Sequence, residues 1–248
     1  MLLFDFFSGT GSSTQAFKDA GDNVISFELD ESFDATENVD IMELTADYLL
    51  RTYGRPDFIW ASPPCTAFSV ASIGHHWDNT SGKPKPKTAA ASFNQQLVLK
   101  TRELIEQLDP QFGFLIENPR GMLRKLEPVQ GLERVTITYC QYGDTRQKPT
   151  DLWGWVPNWT PRSMCQPGAS CHEAAPRGSR TGTQGLKNAA ERSRIAPDLS
   201  IELRNAIMQV GAKIEAGRKR VTPDLHTDNL TIGGISLPAE EGRNNASN

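Results

Sequence analysis

Apolar runs and helical patterns alternate along the first half of the chain. "LLFDFF" (2–7), "NVISFEL" (23–29), "DFIWAS" (57–62) and "FGFLIEN" (112–118) predict buried strands, and "VDIMEL" (39–44) predicts a short strand or its end. Helical patterns cover Ser12–Ala20 and "NQQLVLKTRELIEQL" (94–108). Strands alternating with helices predict an α/β fold with a doubly wound, mostly parallel sheet. "RVTITYC" (134–140) and "PTDLWGW" (149–155) lie close enough in sequence to pair as an antiparallel hairpin. A last helix carries Leu199, Leu203, Ile207, Val210 and Ile214 on one face, with Pro197 in its first turn and Gly217 at its end.

The remaining segments break this rhythm. Residues 72–92, "SIGHHWDNTSGKPKPKTAAAS", read as a long mobile loop in which His75 and His76 are exposed rather than ligating. The expected organisation is a main domain over 1–155, a small irregular lobe over 156–194, a returning helix over 195–217 and a polar tail over 218–248.

Composition narrows the class. At 248 residues, with 38% hydrophobic and 23% charged residues, the chain is expected to be globular, without a span of the bilayer. Four cysteines and no secretory pattern point to reduced thiols inside a cell, so a cytoplasmic protein. The net charge of −4 conceals an asymmetry: 12 acidic against 3 basic side chains in residues 1–60, but 6 against 12 in residues 119–194. A nucleic acid fits the second region, as does a plain solvated surface.

Two strand ends carry candidate chemistry. After the first strand, Gly9-x-Gly11 makes a glycine turn into a helix, the setting of a nucleotide-like ligand, although Thr14 stands where a dinucleotide fingerprint has its third glycine. Glu28 ends the second strand, where it reaches a ribose diol, and Asp40 ends the third, where it reaches an adenine edge. Lys18 is the only basic residue among the first 50, which favours S-adenosylmethionine over a phosphate-bearing nucleotide. In "FIWASPPCTAFSV" (58–70), two prolines end the ladder and fix the direction of Cys65 at the carboxyl end of a strand. "FGFLIENPRG" repeats this logic with Glu117, Asn118 and Pro119; a carboxylate at a buried strand end needs a partner or a task.

Together these segments resemble the DNA cytosine-5 methyltransferase family: "DFFSGTG" (5–11) matches its cofactor turn, "SPPCTAFS" its nucleophile loop and "ENP" its Glu-Asn-Val triplet. The resemblance covers roughly residues 1–155 and the last helix, and implies a Rossmann-like, S-adenosylmethionine-dependent fold with the catalytic, cofactor-binding domain at 1–155. It implies that Cys65 adds to C6 of a flipped cytosine while Glu117 holds N3 and N4, and that C5 then takes a methyl group. Phe7, Ser8, Gly9, Thr10, Gly11, Glu28, Leu29, Asp40, Ile41 and Pro63 become the cofactor-binding set. Pro64, Ser69, Asn118 and Pro119 become substrate contacts.

Two departures from the family pattern matter. Where the family shows Gln-x-Arg-x-Arg, this chain has Arg146, Lys148 and Thr150; Lys148 keeps a cation near the nucleophile, and Arg146 and Lys148 join the catalytic set. The recognition region shrinks to about forty residues, which predicts a short double-stranded DNA target held partly by phosphate contacts from Arg162, Arg177 and Arg180, a monomer and a phage-type enzyme. In that lobe Cys165, Cys171 and His172 offer ligands for a zinc staple, or two thiols and a surface histidine; a fourth ligand is not evident and no metal is assigned. Open alternatives are an RNA or nucleotide substrate, a modified S-adenosylmethionine and a non-catalytic nucleic-acid-binding relative.

Overall fold

The computed structural model describes residues 1–166, 168–174, 186 and 188–221, with side chains to residue 210. In chain order its elements begin with β1 (Leu2–Phe6), α1 (Gln15–Asp19), β2 (Asn23–Glu28), β3 (Glu37–Asn38), α2 (Ala46–Tyr53) and β4 (Phe58–Ala61). There follow α3 (Ile73–His76), β5 (Trp77–Asp78), β6 (Lys85–Pro86), α4 (Ala89–Leu108) and β7 (Phe114–Pro119). The chain continues through β8 (Arg134–Thr138), β9 (Pro149–Trp155), α5 (Ala189–Ser193) and α6 (Pro197–Val221).

A sheet of seven strands runs in the order β3-β2-β1-β4-β7-β9-β8. The pairs from β3 through β7 are parallel, while β9 runs antiparallel to both β7 and β8. This is the α/β, mainly parallel, doubly wound architecture that the alternating pattern predicts, including the β8–β9 pairing. Successive side chains point to opposite faces, so β1, β2, β4, β7 and β9 each feed two cores. Phe4, Phe6, Phe27, Ile59, Ala61 and Ile116 pack on the α4 face, and Leu3, Phe58, Trp60, Leu115 and Tyr139 on the face covered by Leu199, Leu203 and Ile207 of α6. The strand order reverses between β1 and β4, which puts a ligand crevice at their carboxyl ends.

Four sequence expectations change. The first helix starts at Gln15 rather than Ser12, because the Ser13 and Thr14 hydroxyls each donate to Asp5 at 2.8 Å and hold the chain in a turn. The third strand is only Glu37–Asn38; Asp40 accepts the Met42 N–H and starts a short 3-10 turn over Ile41–Glu43. The 72–92 segment is not one irregular loop: it holds α3, the small β5–β6 hairpin and the start of α4. It is anchored by Trp77, which is 3% exposed, lies against Phe68 and donates its indole N–H to the Ala67 carbonyl at 2.7 Å. Finally, α6 runs past Gly217 to Val221. Helix α2, capped by Thr45, stands where no helix was expected.

Candidate active site

Sheet geometry brings the two chemical strand ends together. β4 and β7 are neighbours with Ala61 opposite Ile116, so the chain after Ser62 and the side chain of Glu117 leave the same edge. Cys65 is half-buried there. Backbone bonds stitch its loop to the segment after β7: the Met122 N–H reaches the Phe68 carbonyl at 2.8 Å, and Ser69 bridges Gly121. Only glycine fits at 121, because a Cβ there would lie 2.2 Å from the Phe68 carbonyl oxygen. Asn118, fully buried, donates from Nδ2 to the Pro63 carbonyl at 2.8 Å, while its Oδ1 is buried without a protein partner.

Glu117 is nearly buried and held from one side. The Tyr139 hydroxyl donates to its Oε1 at 2.9 Å, and Lys148 Nζ lies 3.8 Å from the same oxygen. Lys148 sits over the Tyr139 ring, 4.5 Å from its centre, a cation–π contact that fixes the ammonium. Burial and the Glu117 charge keep the Tyr139 phenol well above its ordinary value, so it remains a donor. Burial likewise pushes the Cys65 thiol up, and Glu117 adds to this, while Lys148 and Arg192 pull it down. The thiol is therefore the resting form, and the cations facing it offset part of the cost of making the thiolate.

The glycine turn occupies the crevice beside this centre. The Ser62 N–H meets the Phe6 carbonyl at 3.0 Å, so the β1 and β4 exits run side by side. Phe7, Gly9 and Gly11 all have positive φ (60°, 47° and 70°), strain at Phe7 that the turn must hold. Glu28 accepts the Gly9 N–H on Oε2 at 2.9 Å and the Asp30 N–H on Oε1 at 3.1 Å. Space is open above Gly9, and Leu29, at 64% exposure, presents an apolar side chain next to Glu28. An open backbone cradle, a carboxylate and an exposed apolar residue fit a nucleoside. Asp40 caps its 3-10 turn and Ile41 is buried. A cavity of about 520 Å³ opens behind the turn, between α1, residues 143–146 and the start of α6. Thr10 and Arg146 line it, but Glu28, Cys65 and Glu117 do not.

Some expected site residues are engaged elsewhere. The Arg146 guanidinium is buried on Asp144 and donates to the carbonyls of Glu191, Arg192 and Arg194. It clamps the segment before α6, and its donors do not point at Cys65. Arg162, expected on DNA phosphate, binds Glu202 at 2.6 Å and Asp198 at 3.3 Å and lies over the Tyr142 ring. It ties the chain to α6. Ser69 pairs with Ser72 at 3.0 Å, Pro63 is buried, Pro64 is exposed and Pro119 is half-buried. Arg177 and Arg180 lie outside the described residues. One residue of the site was not foreseen: Tyr139 carried no signal, because only the β7-β9-β8 order brings it to Glu117.

The sequence model of the family described as C-5 cytosine-specific DNA methylase matches residues 1–133. A probable DNA (cytosine-5)-methyltransferase of Frog virus 3 (isolate Goorha) is 29% identical over 219 residues, covering 82% of this chain and 98% of that one. Among solved structures, the Entamoeba histolytica methyltransferase EhMeth aligns with a TM-score of 0.48 at 11% identity, covering 67% of this chain and 56% of that one. A Spodoptera frugiperda DNMT2 mutant aligns at 0.41 and 18% identity, covering 65% and 53%. The chain thus spans a little over half the length of these two solved relatives.

Proposed function

The chain belongs to the C-5 cytosine-specific DNA methylase family, and from that premise we propose how its residues methylate C5 of cytosine in DNA. Cys65, as thiolate, adds to C6 of a cytosine turned out of a duplex; the new C–S bond pushes the C5–C6 π pair onto C5, which becomes nucleophilic. Glu117 holds the base at N3 and N4, steadied on Oε1 by Tyr139 and Lys148. Asn118 fixes the nucleophile loop through the Pro63 carbonyl. S-adenosylmethionine, when bound, would supply an electrophilic methyl group, and Glu28, Leu29 and the Phe7–Gly11 turn are the residues that would hold its nucleoside. Solvent water then takes the C5 proton, the C5–H pair reforms the C5–C6 double bond, and the C6–S pair leaves on sulfur to restore the Cys65 thiolate. Lys148 is the cation that favours the thiolate, and Arg146 acts only by holding residues 191–194 in place.

The observation that supports this reading most is the convergence of Cys65 and Glu117 at the carboxyl ends of neighbouring strands, with Lys148 facing both. We assign the region between β9 and α6 to target recognition and expect a short duplex site read by a monomer acting on DNA inside the cell. Among the described residues no helix is long and apolar enough to cross a membrane. The test is incubation with mixed-sequence duplex DNA and S-adenosylmethionine, then digestion and mass spectrometry of the nucleosides. The expected product is 5-methylcytosine, absent with Cys65→Ala. A cytosine of another added mass would overturn the cofactor assignment, and unmodified DNA would overturn the substrate assignment.

A further inference from the structure

Three of the four cysteines of the chain are not at the methylation centre, and the fold gathers all three. Cys140 lies in the 3-10 turn that follows β8, while Cys165 and Cys171 lie twenty-five and thirty-one residues further on. His172 completes the group, and the four ligand atoms all fall within 4.8 Å of one another. Cys171 Sγ is 3.6 Å from Cys140 Sγ and 3.7 Å from His172 Nδ1, and Cys165 Sγ is 3.6 Å from that same nitrogen. Tetrahedral zinc, with Zn–S near 2.3 Å and Zn–N near 2.0–2.1 Å, requires S···S of about 3.8 Å and S···N of about 3.6 Å. The spacings therefore match a closed site that takes three thiolates and one imidazole.

The surroundings suit thiolates. The Gln141 and Gln147 side-chain amides each aim an N–H at a sulfur, Cys171 and Cys165 respectively, both at 3.2 Å. Donors of this kind support metal-bound thiolates. The backbone is set as well: the Cys165 N–H reaches the Thr138 hydroxyl at 2.9 Å, and the Glu173 N–H reaches the Thr145 carbonyl at 2.9 Å. All four cysteines are unpaired thiols. Among the described residues of 156–174 only Val156 and Cys165 are buried apolar residues, so this segment has little core of its own to order it.

We propose that Cys140, Cys165, Cys171 and His172 bind one structural zinc ion, which staples the segment after β9 to the end of β8. The chemical reason for this placement is the neighbour of Cys140. Tyr139 is the residue that holds Glu117, so the ion fixes the base-binding carboxylate from behind while it orders the start of the recognition region. The proposal does not depend on the methylation chemistry, because none of its ligands is a proposed catalytic residue.

The test is elemental analysis of the full chain purified without chelator. About one zinc per chain is expected, released by a mercurial thiol reagent, with the cobalt-substituted protein showing thiolate-to-metal charge transfer and the strong visible bands of a tetrahedral site. Cys65→Ser should keep its zinc, Cys171→Ser should lose it, and His172→Cys should retain it with an altered cobalt spectrum. Folded wild-type protein without zinc that takes up no cobalt would overturn the site, as would a disulfide among Cys140, Cys165 and Cys171. If Cys171→Ser does not fold, the wild-type metal content and the cobalt spectrum decide alone.

Discussion

Asp5→Asn should make the protein more stable at neutral pH and leave it unchanged in acid. Asp5 is fully buried in β1, and its carboxyl is pushed from the ordinary 3.8 up to about 6. Burial is the main cause, with Glu28 adding to it; the Thr14 and Ser13 hydroxyl bonds and Lys18 oppose it without cancelling it. Its Oδ2 takes both hydroxyl donors, while Oδ1 has no protein partner. Because the folded state holds the proton more tightly, stability is highest below pH 4 and is lost as pH rises through about 6. At about 1.4 kcal/mol per pKa unit, ionising this carboxyl costs about 3 kcal/mol at pH 7.5. Asparagine keeps an acceptor for the two hydroxyls and has no charge to desolvate. Urea unfolding of both proteins from pH 4 to pH 8 measures the difference. It should be near zero at pH 4 and grow to about 3 kcal/mol in favour of the variant. A difference that is flat with pH would refute the buried, charged Asp5.

Further outcomes follow from the same geometry. Lys148→Met removes a cation that lowers the Cys65 thiol, so the pH–rate profile for base attack should move to higher pH, measured as single-turnover methylation; an unmoved profile would detach Lys148 from the nucleophile. Gly121→Ala drives a Cβ into the Phe68 carbonyl and should cost about 1–3 kcal/mol in thermal unfolding, with a larger loss of methylation than of S-adenosylmethionine binding. Arg162→Ala breaks the ties to Asp198 and Glu202 and should lower stability by about 1 kcal/mol while leaving the salt slope of DNA binding intact; a reduced slope would restore Arg162 to the phosphate backbone.

The strands and the mainly parallel sheet were legible from the alternating apolar runs, and the Pro-Pro-Cys and Glu-Asn-Pro exits marked the ends of β4 and β7, whereas the strand order was not legible. Polar side chains that bond to nearby backbone or to a buried carboxylate misled the reading. Asp40, Ser13 and Thr14 each redirect a segment through a hydrogen bond that no periodicity reveals. The same limit applies to cations. Arg146 and Arg162 look in sequence like free cations, the first for the catalytic set and the second for a phosphate, yet Asp144, Asp198 and Glu202 claim them in the fold. The Lys- and Pro-rich 72–92 segment read as mobile because its anchors, Trp77 on the Ala67 carbonyl and His76 on the Thr88 hydroxyl among them, leave no periodic pattern. That Cys140 joins Cys165, Cys171 and His172 was not readable, since it is twenty-five residues from Cys165 in sequence and adjacent only once β8 ends where it does.

The most direct measurement of the central claim uses duplex DNA carrying 5-fluorocytosine together with S-adenosylmethionine. Fluorine cannot leave as the C5 proton does, so the covalent adduct should persist through denaturation, and peptide mass spectrometry should place the modified nucleotide on Cys65. An adduct on any other residue, or methylation of normal DNA by Cys65→Ala, would contradict the account.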